Sequence, residues 1–276
     1  LGWVFSKAAD APYLFPLSVG AALIGSVASY WFSDRLVIAL THARPIAKRD
    51  DPELYRLVEN LSITAGLPLP KLYLINDPAL NAFATGRNAE RAIVAVTRGL
   101  RETLDKPELE GVLAHELSHI GNRDILVATV AAVLAGVIIT IVDFFLRTSR
   151  FGGHRGRHRD GGAPGGAVFA IGALVAAILA PLAATLLRLA VSRQREFLAD
   201  ASGVLLTRYP EGLARALEKI ATVPFPVRHA PDATAHLWIA EPKHPTRGPG
   251  VSAFTRLFLT HPPVAERVHR LRQMHV

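Results

Sequence analysis

Hydrophobic positions along the chain fall into two patterns, long unbroken apolar blocks and short periodic stretches between them. The blocks run from Pro12 to Phe32, from Ile125 to Leu146 and from Ala167 to Val191. A helix needs roughly 20 apolar residues to cross a bilayer, and all three blocks reach that length. Tyr30 and Trp31 stand at the end of the first, where an interfacial aromatic belt would sit. The second carries no charge before Asp143, and the third contains Pro181 and Arg188. The pattern predicts transmembrane helices, the last two forming a hairpin. Its tip, 147–166, is a glycine- and arginine-rich stretch without hydrophobic period and reads as a flexible loop.

The periodic stretches predict a mainly α, α+β, fold. Asp51 to Ala65 repeats apolar residues at Leu54, Leu57, Val58 and Leu61 and is closed by Gly66 and Pro68, the signature of an amphipathic helix. Lys71 to Ile75 and Arg91 to Thr97 are strand candidates of a small edge sheet. Asp105 followed by Glu108 predicts an N-terminal capping box on a helix running through Leu117. Four segments result. Residues 1–33 are expected to be an N-terminal segment and transmembrane helix, and 34–124 the first half of a polar domain. Residues 125–191 are the hairpin, and 192–276 the second half of that domain.

Composition agrees with apolar blocks set between basic polar ones. The chain has 276 residues, half of them hydrophobic, and a net charge of +8. Nucleic-acid binding is the other use of such charge, but no zinc-finger, RNP or basic-zipper spacing accompanies it, so no nucleic-acid partner is expected. With no cysteine present, disulfides and thiolate metal sites are excluded, and any metal must be held by His, Asp or Glu.

Candidate chemistry centres on His115-Glu116-Leu117-Ser118-His119, an H-E-x-x-H motif on a predicted helix. Residues four apart share a helical face, so both imidazoles reach one ion. Glu116, turned away by about 100°, reaches water beside that ion and fits a catalytic base. The motif alone recurs by chance in many proteins. A third ligand is required, and Asp124 and Ile125 exclude an extension with a third His. Glu196, in Ser192 to Asp200, is the best remaining donor, with Asp200 on the same face to accept the free N–H of a ligand histidine. An ordinary charged helix start would read the same way. His154 and His158 fit a solvated loop, and His236 a strand residue near the cleft.

The stretches S-R-Q-R-E-F-L-A-D-A-S-G and H-E-L-S-H-I-G-N-R-D resemble the HtpX family of integral-membrane zinc endopeptidases, relatives of the CAAX prenyl endopeptidases. Tyr30 to Leu36, Asn81 to Arg87 and Thr260 to Val268 add to the resemblance, in order along nearly the whole chain. It implies a zincin-like catalytic domain with one zinc ion per chain, bound by His115, His119 and Glu196. It implies a multi-pass protein of a prokaryotic cell membrane, with its catalytic domain facing the cytosol, and proteolysis of damaged or misassembled membrane proteins. A further membrane segment upstream of Leu1 is also implied. His261 and Arg267 fall where the family has residues near the substrate carbonyl, where they would stabilise an oxyanion; Pro262 and Pro263 opening a last helix is the other reading. Asn81, Ala82 and Phe83 resemble an edge that pairs with an extended substrate, against a turn that packs Phe83.

Chain arithmetic adds an address for the metal. Five residues separate His119 from Ile125, and Glu196 follows Val191 by five. At ~1.5 Å per helical residue the ion lies roughly 10 Å from the apolar blocks, whose ends must return to one membrane face. Arg35, Arg44, Lys48 and Arg49 after the first block place that face in the cytosol. Arg147, Arg150, Arg155, Arg157 and Arg159 at the hairpin tip oppose the same rule, so the hairpin either crosses despite its charge or dips without crossing. The rival functions are a CAAX-type processing protease and a non-catalytic membrane scaffold. The oligomeric state is not legible.

Overall fold

The computed structural model describes residues 31–32, 34–128, 130, 178, 193–222, 227, 237–240 and 262–276. Most of each apolar block lies outside these residues. Among the described residues no helix is long and apolar enough to cross a membrane.

The described elements run β1 (Arg44–Pro45), α1 (Pro52–Ala65), β2 (Lys71–Ile75), β3 (Ala82–Thr85), β4 (Ile93–Thr97), α2 (Arg98–Thr103), α3 (Lys106–Gly121), α4 (Arg193–Thr207), α5 (Pro210–Thr222) and α6 (Val264–Arg272). Mainly helical with one small sheet, the fold matches the expected α+β character. Helix α1 starts at Asp51, whose side chain accepts from the Leu54 N–H, and stops at Gly66 in the left-handed region. Strand β4 begins at Ile93 rather than Arg91, because Ala89–Arg91 is spent in a 3₁₀ turn.

The sheet has the order β1-β2-β4-β3, with β2 and β4 parallel and β1 and β3 antiparallel at the edges. Alternation along the strands divides its faces. Leu72, Ala82, Ala84, Val94 and Val96 point into the main core beneath the helices. Ile75, Phe83 and Ala95 point the other way, onto Val37, Val227, Leu237 and Trp238. Covered on both sides, β4 is buried at every position and is apolar up to its terminal Thr97.

Helix α3 forms the spine of the domain. Its N-terminus carries the expected capping box: Asp105 accepts from the Glu108 N–H, while the Glu108 carboxylate accepts from the Asp105 N–H. Glu108 is fully buried, and Lys219 and Arg215 of α5 bring cations to it at 2.6 and 3.0 Å. Two glycines let neighbouring helices approach the spine. A Cβ on Gly111 would lie 2.6 Å from the Leu213 backbone of α5, and one on Gly203 of α4 would lie 3.0 Å from the His115 backbone nitrogen. Only hydrogen fits at the first crossing, and any side chain is tight at the second.

Candidate metal centre

His115, Glu116 and His119 lie on the C-terminal half of α3, and Glu196 and Asp200 lie four residues apart on one face of α4. The Gly203 crossing presses that face onto His115. Nε2 of His115 and Nε2 of His119 stand 3.2 Å apart. Glu196 meets both, with Oε2 3.9 Å from the first and Oε1 3.6 Å from the second. The three side chains offer one donor atom each, all within 4.8 Å of one another, a set that can hold a metal ion.

Each histidine is held from its far nitrogen. Nδ1 of His115 is 2.9 Å from Asp200 Oδ1, and Nδ1 of His119 is 3.1 Å from Asp124 Oδ2. A carboxylate only accepts, so both rings present a proton at Nδ1 and turn Nε2 to the centre. Asp124 is the residue that sequence reasoning passed over. Its signal was a carboxylate five residues after His119, in H-I-G-N-R-D.

Arg267 is 1% exposed and packs against the ligand side chains. Nε and Nη2 donate to the two oxygens of Asp200 at 2.9 and 2.7 Å, and Nη1 donates to the Ile239 carbonyl at 3.1 Å. Nη1 also stands 3.7 Å from Glu196 Oε2. His261 lies outside the described residues.

The Asn81 to Phe83 edge is likewise engaged by the chain itself. Ile239 N–H donates to the Ala82 carbonyl at 2.9 Å, and the Asn81 amide exchanges hydrogen bonds with both backbone groups of Ala240. Phe83 bridges Trp238, their rings 4.9 Å apart edge to face. Trp238, Ile239 and Ala240 thus lie along that stretch of the edge. One residue on, the Ala84 N–H donates to Glu116 and ties β3 to α3.

Burial sets the electrostatics. It pushes the Glu116 carboxyl up to about 7, reinforced by the negative charge of Glu196. Burial and the Arg267 charge depress His115 to about 4. Burial also opposes charge on His119, but the Asp124 hydrogen bond and the Glu196 and Glu116 charges outweigh it and raise that ring to about 9. Asp200 shows the same contest, burial being overcome by Arg267 and His115 so that it falls to about 2.

The family model described as Peptidase family M48 matches residues 48–275. The chain belongs to peptidase family M48. As an M48 metallopeptidase it is a metal-dependent hydrolase of peptide bonds. Among its relatives, a protein named Protease HtpX homolog from Syntrophobacter fumaroxidans is 48% identical over 255 residues, covering 92% of this chain and 87% of the relative. A Protease HtpX homolog from Pyrococcus furiosus is 46% identical, covering 92% and 84%. The resemblance to HtpX proteases read from the sequence holds. In fold, the M48 chain matches the crystal structure of S. mikatae Ste24p with a TM-score of 0.56 at 21% identity. That match covers 98% of this chain and 61% of Ste24p.

Proposed function

We propose that the chain is a membrane-bound zinc endopeptidase in which His115, His119 and Glu196 hold one zinc ion and Glu116 is the catalytic base. One observation carries the reading: the two Nε2 atoms lie 3.2 Å apart, and the Glu196 carboxylate faces both, Oε2 3.9 Å from His115 and Oε1 3.6 Å from His119. Tetrahedral zinc with bonds of about 2.0–2.1 Å spaces its ligand atoms about 3.3 Å apart. The donor set fits, being two neutral imidazoles and one carboxylate with a fourth position left for water or substrate. Zinc bound there supplies a Lewis acid that acidifies water and polarises a peptide carbonyl.

The protein's own groups move the proton. Glu116, raised to about 7, is poised near neutrality to take a proton from the attacking water. As the carbon–nitrogen bond breaks, the same carboxyl delivers that proton to the departing amine. Asp200 and Asp124 keep the ligand rings in the productive tautomer, with Arg267 balancing the charge of Asp200.

Membrane attachment through the apolar blocks puts this centre near a bilayer on the cytosolic face, and misfolded or damaged membrane proteins are the substrates we assign. The test uses Glu116→Gln and Glu196→Ala in the full chain in detergent. The first retains one zinc per chain and loses cleavage of an unfolded membrane protein by about 10²–10⁴-fold. The second loses zinc. Cleavage surviving in Glu116→Gln, or zinc stoichiometry unchanged in Glu196→Ala, overturns the assignment.

A further inference from the structure

Helix α3 ends at Gly121, and the chain then turns sharply before the apolar stretch that opens at Ile125. Asn122 caps the helix, and Arg123 sits at φ 62, the left-handed region that residues with a side chain seldom adopt. Residues 124–128 are helical again. The turn at Arg123 brings the Asp124 carboxylate to His119 of the helix before it.

Its two oxygens then face different parts of the chain. Oδ2 is 3.1 Å from Nδ1 of His119, and Oδ1 is 3.7 Å from Nη1 of Arg195. Arg195 precedes Glu196 on the first turn of α4, just beyond the far end of the insertion 125–191. One carboxylate thus joins a ligand ring to both stems of that insertion. The other ring is secured differently. Asp200, beneath His115, is 1% exposed and gripped by two nitrogens of Arg267, whereas Asp124 and Arg195 are 13% and 25% exposed.

We propose that Asp124 is a positioning residue for His119, holding the ring proton on Nδ1 so that Nε2 faces the metal, and that Arg195 acts through it. The inference rests on the zinc reading above. A carboxylate behind a ligand histidine fixes the ring and strengthens it as a donor, and its loss costs about 10–100-fold in metal affinity. Because the carboxylate is shared with Arg195, zinc affinity responds to how the two stems are held together.

The test is zinc affinity of the full chain in detergent, by competition with a chromophoric chelator, alongside thermal unfolding of the metal-free protein. Wild type binds one zinc ion; if it binds none, the zinc reading falls and takes this inference with it. Asp124→Ala binds about 10–100-fold more weakly. Asp124→Asn, which keeps an acceptor oxygen without the charge, recovers part of the loss. Arg195→Ala loses less, and Asp124→Ala with Arg195→Ala together equal Asp124→Ala alone, since the second change acts through the first. Wild-type affinity in Asp124→Ala overturns the proposal. So does a loss that Asp124→Asn does not relieve and that tracks a fall in metal-free unfolding temperature. A double variant that shows the sum of both losses removes Arg195 from it.

Discussion

Nδ1 of His115 and Oδ1 of Asp200 stand 2.9 Å apart, each side chain 1% exposed, and Arg267 grips the same carboxylate from the other side. Three buried groups share two charges here. Asp200→Ala breaks the hydrogen-bonded pair and leaves the Arg267 cation only the Glu196 carboxylate, 3.7 Å from Nη1, at a cost of about 3–5 kcal/mol for a broken buried pair. Chemical unfolding of the metal-free protein reads that loss. A variant of wild-type stability would mean that Glu196 alone offsets the Arg267 charge.

The same pair sets an acid limit. Asp200 is lowered from its ordinary 3.8 to about 2, so it binds a proton more weakly folded than unfolded. Such a group stabilises fully above the unfolded value, and its contribution fades as pH falls through the folded one. Wild type loses this contribution between pH 4 and pH 2. Asp200→Asn, with nothing to titrate, lacks that component of the acid transition. Unfolding temperature measured in steps across the window separates the two; parallel curves would contradict the linkage.

Metal uptake is expected to depend on pH for a different reason. His119 is raised to about 9 in the metal-free protein, so at neutrality the metal must displace a proton from it. Apparent affinity therefore climbs by about tenfold per pH unit from 7 toward 9 and levels off above. Chelator competition at several pH values gives the slope. Affinity independent of pH would place the displaced proton elsewhere or nowhere.

Gly203 is where α4 meets the backbone of His115. A methyl group there arrives 3.0 Å from the His115 nitrogen, and Glu196 lies two turns away on the same helix. Gly203→Ala separates α4 from α3 by a few tenths of an ångström, with an expected cost of about 1–3 kcal/mol. Zinc affinity falls with it, since Glu196 moves with its helix. Gly111→Ala meets the Leu213 backbone of α5 instead and lowers stability without a comparable effect on zinc. Equal effects of the two on zinc would argue against the distinction.

At the start of α3, Asp105→Ala removes half of the capping box and the 2.7 Å ion pair with Arg215. Loss of such a cap costs about 1 kcal/mol. Peptidase activity at a permissive temperature stays at the wild-type level, because His115 lies more than two turns farther along the helix. Unfolding temperature is the sensitive readout.

Local order carried much of this fold into legibility. The apolar period of α1, its Asp51 and Gly66 boundaries, β2 and the Asp105 box depend on neighbours within a few residues, and each could be read directly. Helix α5 and the β3 pairing are less visible. Ala82–Thr85 is too small and too short to show alternation, and only the register with β4 makes it a strand. The metal centre divides the same way. His115 and His119 share one helical turn, whereas the Arg267 and Asp200 contact spans 67 positions and that of Arg267 with His115 spans 152. Nothing local marks Arg267 as buried. Asp124 was near in sequence, yet its role follows from the left-handed turn at Arg123, a conformation with no sequence signal when no glycine is used.

The separation between the ligand helices also has a temporal meaning. α3 leaves the ribosome with two histidines and a base, but Glu196 follows only after the insertion and Arg267 later still. Contacts across such distances close slowly and late in folding. A newly made chain therefore carries α3 before it has the third side chain of the metal-binding set, and the centre assembles only once the 125–191 stretch has been made.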